Sequence, residues 1–240
     1  MTQKSVEISE IGQVRLYKSS RARQIKLSVS SEGAVRVTMP HWVPFAVGIE
    51  FAKKQTQWVH KHRPVSAKVA ITDGFLIGKY HTLRFDSTDG ATVTTRISGN
   101  DVRVLVPKTI SVDSAKVQVA AEKAAIKALK IEASATLPIR LRAIAEANGF
   151  TYKNVSIKRL KSKWGSCSSE KNILLNCYLM QLPWHLIDYV IIHELVHTRI
   201  MAHGKPFWDE VAKYVSNLAA VRKEMRTRQT RLQAGRRAKY

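Results

Sequence analysis

The segment Tyr189–Trp208, YVIIHELVHTRIMAHGKPFW, sets three histidines and a glutamate into a largely apolar run. Apolar neighbours around the motif predict a buried helix. Unpaired polar groups inside such a helix cost about 2–7 kcal/mol each, so these side chains need partners. His193 and His197 are four residues apart and therefore share one helical face. Glu194 follows the first of them. The H-E-x-x-H spacing supplies two metal ligands and a general base. Catalytic zinc takes three protein ligands and keeps a position for water. His203, six residues beyond His197 and next to Gly204, is the expected third. The helix is expected to open at Pro183 and run to about Met201, after which the chain turns back. Three imidazoles on one ion would lower the pKa of bound water toward neutrality. Glu194 would accept its proton and return it to the leaving group. Zn2+ is the expected cofactor, with another divalent metal as the alternative.

A second informative stretch lies upstream, KRLKSKWGSCSS from Lys158 to Ser169. Arg159 offers a planar fork for a phosphate or carboxylate, and Lys161 and Lys163 act as point charges. Gly165 permits a tight turn. Trp164 is read as a lid or as core filler. These residues, with Ser166, form the candidate substrate-binding set. Cys167 has no adjacent base and is read as structural, and Cys177 as buried. Asp209 and Glu210 are read either as carboxylates orienting a ligand histidine or as first-turn acids of the next helix. His41, His60, His62 and His81 have no comparable context and are read as ordinary.

The chain has 240 residues, is 45% hydrophobic and carries a formal charge of +22. That charge attracts polyanions and predicts at least non-specific affinity for nucleic acid through the basic surface. Two cysteines make no disulfide framework. The first 20 residues lack the apolar core of a signal peptide, and no run approaches the roughly 18 apolar residues of a membrane span. The expectation is a soluble cytoplasmic protein.

The fold class expected is α+β. A strand-rich region with packed helices occupies residues 1–131, a metal-binding core residues 132–221, and a basic extension residues 222–240. Strands are expected at Val14–Ser20, Arg23–Ser30, Val35–Met39, Phe75–Ile77, His81–Phe85, Ala91–Ile97 and Val102–Pro107. Helices are expected at Val43–His62, Ala115–Ile131 and Pro138–Ala147, the last ending at Asn148–Phe150. GAVRVTMP and NDVRVLVP both follow strands and a turn and precede a helix, a weak internal repeat of a strand–strand–helix unit. Val155–Leu160 and Ile173–Met180 are expected to pair as a hairpin. Pro206 is expected to open a further helix, and the region from Arg222 an exposed helical extension with a frayed tail.

Four spaced blocks, KSKWGSCSS, NILLNCYLM, YVIIHELVH and HGKPFW, together resemble the YgjP-like metal-dependent hydrolases. These sit in the wider zincin-like group with the SprT and WLM-type domains. The resemblance implies a zincin-like C-terminal core with His193, His197 and His203 on zinc, Glu194 as catalyst and the Trp164–Ser166 turn nearby. Lys163 stands where arginine is common and Gly204 where serine is common. The first departure keeps a charge but loses a fork. The resemblance implies a metallopeptidase-like reaction on a peptide. The family has also been associated with nucleoside triphosphate pyrophosphohydrolysis, with uridine triphosphate as substrate. A third reading is a nucleic-acid-associated protein whose zinc is mainly structural, and the intact Glu194 argues against it.

Overall fold

The computed structural model describes residues 3–30, 33–62, 70–160, 162–228, 230 and 232. The described residues divide into two compact units, residues 3–62 and residues 70–232.

In the first unit β1 (Gln3–Ile8), β2 (Gly12–Ser19), β3 (Lys26–Val29) and β4 (Val35–Pro40) form a sheet in the order β1-β2-β4-β3. Two helices follow, α1 (Phe45–Lys54) and α2 (Thr56–His62). The single helix expected over Val43–His62 is thus interrupted at Gln55, whose backbone N–H closes α1 on Ala52. Val14, Leu16, Val35, Val37 and Met39 alternate inward and share a core with Ala52 and Val59, as a period of two requires.

The second unit begins with β5 (Phe75–Leu76), β6 (Thr82–Thr88), β7 (Thr94–Ser98) and β8 (Asp101–Pro107), in the order β5-β6-β8-β7. Both four-stranded sheets pair antiparallel, parallel, antiparallel along that order. GAVRVTMP and NDVRVLVP supply the corresponding strands, β4 and β8.

Helix α3 (Ala115–Ala147) is continuous, with Pro138 inside it. It runs through the interruption expected after Ile131, and so across the 131/132 boundary. The physical reason is burial. Ala121, Ala125, Ala128, Leu129, Glu132, Ala133, Leu137, Leu141 and Ala145 form an unbroken inward stripe, which outweighs one lost hydrogen bond at proline. Ser114 caps its start by accepting from the Val117 N–H. Gly149, at φ 64, ends it where a left-handed residue is needed.

A three-stranded sheet follows, ordered β10-β11-β9, from β9 (Asn154–Lys158), β10 (Gly165–Cys167) and β11 (Asn172–Asn176). β9 and β11 pair, but in parallel, and the hairpin is made instead by β10 and β11. The expected hairpin of Val155–Leu160 with Ile173–Met180 is therefore corrected. β10 occupies the connection, so the chain crosses back before β11 begins. The second strand also stops at Asn176, where the chain enters a 3-10 helix, Cys177–Gln181. The last helices are α4 (Trp184–Val196), α5 (Lys205–Ala212) and α6 (Leu218–Thr227). α6 crosses the expected 221/222 boundary, and residues 229, 231 and 233–240 of the basic tail lie outside the described residues. Among the described residues no helix is long and apolar enough to cross a membrane.

One buried carboxylate ties α3 to the β5–β6 connection. Glu132 is 3% exposed and accepts from the backbone N–H groups of Lys79, Tyr80 and His81 and pairs with His81 Nδ1 at 2.9 Å. The same connection reaches the entry of α4. Lys79 Nζ donates to the Leu182 carbonyl (2.6 Å) and Gln181 Nε2 to the Ile77 carbonyl (2.7 Å). His81, read from sequence as ordinary, is thus a buried partner. Glu132→Ala orphans these donors and is expected to lower unfolding free energy by roughly 2–4 kcal/mol. Urea denaturation reads this directly, and a loss below about 0.5 kcal/mol would show that water replaces the carboxylate.

Candidate metal centre

α4 is apolar almost all round, and His193 (2% exposed) and Glu194 (1%) are buried in it with Ile191, Ile192, Leu195 and Val196. The helix stops at Val196, earlier than the expected Met201. The Arg199 and Ile200 N–H groups both donate to the Val196 carbonyl, and the Thr198 N–H donates to Leu195. Thr198 Oγ1 donates to the same Leu195 carbonyl at 2.7 Å. This closed turn redirects the chain and returns His203 to the helix.

The three imidazoles meet. His203 Nε2 lies 3.1 Å from His197 Nε2 and 3.1 Å from His193 Nε2. One ligand atom from each falls within 4.8 Å of the others. Nitrogens held tetrahedrally at ~2.0–2.1 Å sit about 3.3 Å apart, so the donor set fits one divalent ion. Its protonation also fits. Burial, followed by the neighbouring His197 and His203, pushes the His193 imidazole down to about 2. Burial likewise lowers His197. Both rings are neutral and ready to ligate at physiological pH. His197 Nδ1 donates to the Ile200 carbonyl (3.1 Å), which fixes the tautomer with Nε2 free to face the ion.

The third ligand sits on a loop, and aromatic packing holds it. Trp208 Nε1 donates to the His203 carbonyl at 3.2 Å, and its ring stacks on the His203 ring at 5.8 Å. Phe207, fully buried, lies within 5 Å of all three imidazole rings. The Arg222 guanidinium covers Trp208 at 3.6 Å. Arg199 holds the turn after α4: it donates to Glu210, the Tyr214 hydroxyl and the Gly149 carbonyl, and stacks on Phe150. Glu210 is thereby engaged with Arg199, Lys213 and Tyr214, and Asp209 pairs with Lys205. Sequence reasoning gave Trp208, Arg199 and Arg222 no role, because each acts across a distance that has no local period.

β10 packs against α4 where Glu194 emerges. A Cβ on Gly165 would lie 2.7 Å from Glu194 Oε1 and 2.8 Å from its Cγ. Glycine is needed here for close approach, and not for the tight turn expected from sequence, since Gly165 is a buried strand residue. Trp164 is buried core. Its loop is fastened by Asn176, which is fully buried. Asn176 Nδ2 donates to the Leu160 and Lys163 carbonyls (3.1 and 2.7 Å), and its Oδ1 accepts from the Leu160 and Tyr178 N–H groups. A polar residue inside the apolar run NILLNCYLM was the available signal. Ser166 lies half-buried in β10 and Lys163 is exposed on the loop. Arg159 is directed to Tyr178, donating to its hydroxyl at 3.0 Å. Lys161 lies outside the described residues. The Cys167 thiol is pushed up to about 11 by burial and then by the charge of Glu194, and so stays protonated. Cys177 is buried, as expected.

The sequence model of the YgjP-like metallopeptidase domain matches residues 23–228. The chain belongs to the YgjP-like family. An uncharacterized protein of Methanocaldococcus jannaschii is 37% identical over 67 residues, which span 26% of this chain and 61% of that protein. The match thus covers less than two thirds of that relative. Two crystal structures are similar over part of the chain. The metallopeptidase zymogen abylysin of Pyrococcus abyssi is 23% identical, covering 38% of this chain and 93% of its own, with a TM-score of 0.35. The metallopeptidase zymogen jannalysin of M. jannaschii is 27% identical, covering 37% and 92%, with a TM-score of 0.34. In this YgjP-like chain, Trp208→Ala is expected to weaken divalent-metal affinity about 10–100-fold by loosening His203. Competition against a chromophoric chelator measures it, and unchanged affinity would show that His203 needs no such support.

Proposed function

We propose that this chain is a zinc-dependent hydrolase that cleaves peptide bonds. The convergence of His193, His197 and His203 beside the buried Glu194 carries this reading. Three imidazoles without thiolate or carboxylate ligands suit zinc. Zinc held there would supply a Lewis acid for a carbonyl oxygen and acidify a water. Glu194 is the group placed to take a proton from the attacking water and deliver it to the leaving amine. Its carboxylate is pressed between α4 and the backbone of β10, so its position is set by packing on both sides.

The neighbouring backbone supports a peptide as substrate. β10 is an edge strand, paired on one side by β11 and by no strand on the other among the described residues. An extended peptide can add to such an edge through main-chain hydrogen bonds. That would lay a scissile carbonyl alongside Glu194. The cations that would favour a nucleoside triphosphate are less well gathered, because Arg159 is engaged with Tyr178. Two free thiols suit a reducing cytoplasmic compartment.

Zinc-loaded protein assayed against casein, a peptide panel and uridine triphosphate in parallel is expected to release peptides and no pyrophosphate. Glu194→Gln is expected to cut turnover by about 10²–10⁴-fold while zinc stays bound. Undiminished turnover in that variant would remove Glu194 from the mechanism. Pyrophosphate release that Glu194→Gln abolishes would keep the site and replace the substrate. Gly165→Ala pushes against the same carboxylate and is expected to lower kcat with zinc content unchanged.

A further inference from the structure

The first unit carries a surface that the metal centre does not use. Its sheet turns one face to the core, and residues of the other parity point away. These are Arg15 and Tyr17 on β2, Arg36 and Thr38 on β4, and Lys26 and Ser28 on β3. Arg15 and Arg36 are register partners on adjacent strands, and both are exposed. Like charges directly opposite each other repel, so this pairing gives the fold nothing. The Arg36 guanidinium lies over the Tyr17 ring at 4.0 Å, which makes a flat cationic platform. Beside it, at the Ser19 end of β2, a depression of about 630 Å³ is lined by Ser19, Arg21, Arg23, Gln24, Lys26 and Thr38. Among the described residues up to Pro40, the acidic side chains are Glu7 and Glu10, both at the opposite end near the β1–β2 turn. The face is thus polarised, with its cations gathered around one hollow and one platform.

We propose that this sheet face binds single-stranded nucleic acid. Phosphodiesters sit among Arg21, Arg23 and Lys26, Arg15 meets a further phosphate, and a base stacks on the Arg36–Tyr17 platform. A charged groove flanked by a stacking surface is the chemistry that holds a single strand, and it tolerates any sequence. A duplex hides its base faces and leaves the platform without a partner. A bilayer needs apolar side chains, and the outward residues of this face are polar or charged apart from the Tyr17 ring. The proposal is independent of the hydrolase site.

The test uses the full chain and fluorescein-labelled 20-mers of oligo-dT and oligo-U, read by anisotropy across a salt series. The wild type is expected to bind both, and more tightly than a duplex of equal length. Arg21→Glu, Arg23→Glu and Lys26→Glu combined are expected to weaken binding at least 10-fold. They should also flatten the plot of log K against log salt by about 2, at about 0.7 per phosphate contact. Tyr17→Ala is expected to weaken binding at least 5-fold with the slope unchanged. Arg15→Glu, at an exposed position, gives a second variant that does not endanger folding. Lys53→Glu with Lys54→Glu, on α1, should leave affinity within twofold. Equal losses from the α1 pair would overturn the proposal in favour of diffuse charge attraction. Equal affinity for duplex, or displacement by millimolar inorganic phosphate or uridine triphosphate as effective as by an unlabelled strand, would overturn it as well.

Discussion

The metal centre depends on where α4 stops. A helix rises about 1.5 Å per residue, so six more helical residues after His197 would carry His203 about 9 Å further along the axis. The observed turn instead satisfies the last carbonyls locally, with Thr198, Arg199 and Ile200 bonding back onto Leu195 and Val196. The bond from His197 Nδ1 to Ile200 serves two ends at once, closing the turn and orienting a ligand. Arg199 then binds the turn to the end of α3 and to α5, and Trp208 grips His203 from the next helix. Ligand geometry, helix termination and aromatic packing form a single arrangement.

The catalytic side of the site rests on a close approach of sheet to helix. Gly165 lets β10 reach Glu194, and Asn176 holds the preceding loop with both ends of its amide satisfied. A fully buried amide is tolerable only with such partners. The two residues act in series, Asn176 setting the path of the loop and Gly165 the distance of the strand. Phe207 packs its ring against all three imidazoles, and burial keeps His193 and His197 neutral.

How much of this was legible follows from the range of each signal. His193, Glu194 and His197 could be read directly, because a four-residue spacing maps onto one helical face whatever the tertiary context. His203 followed from the need for a third ligand. Seven of the eight strands of the two four-stranded sheets were legible from alternation, β1 being missed, and the similarity of GAVRVTMP to NDVRVLVP anticipated a repeated strand–strand–helix unit but not its division into two separate sheets. Partner choice was not legible: alternation marks β9 and β11 as strands but does not say that β10 intervenes and makes them parallel. The middle of α3 was hidden because ASATLP has weak local pattern, and its helicity comes from tertiary burial of Glu132, Ala133 and Leu137. The pairing of His81 with Glu132 and the stacking of Arg222 on Trp208 join residues far apart in sequence. No periodicity reports such contacts.

The two units divide the chemistry of the chain. The C-terminal one gathers three imidazoles around the Phe207 ring, while the first presents unbalanced cations on an open sheet. Three imidazoles, and no sulfur, are expected to hold the ion. X-ray absorption at the metal edge of the zinc-loaded chain tests this most directly. Three nitrogen neighbours with imidazole scattering at ~2.0–2.1 Å and one further light atom are expected. A sulfur neighbour at ~2.3 Å, bringing in Cys167, or fewer than three imidazoles, would contradict it.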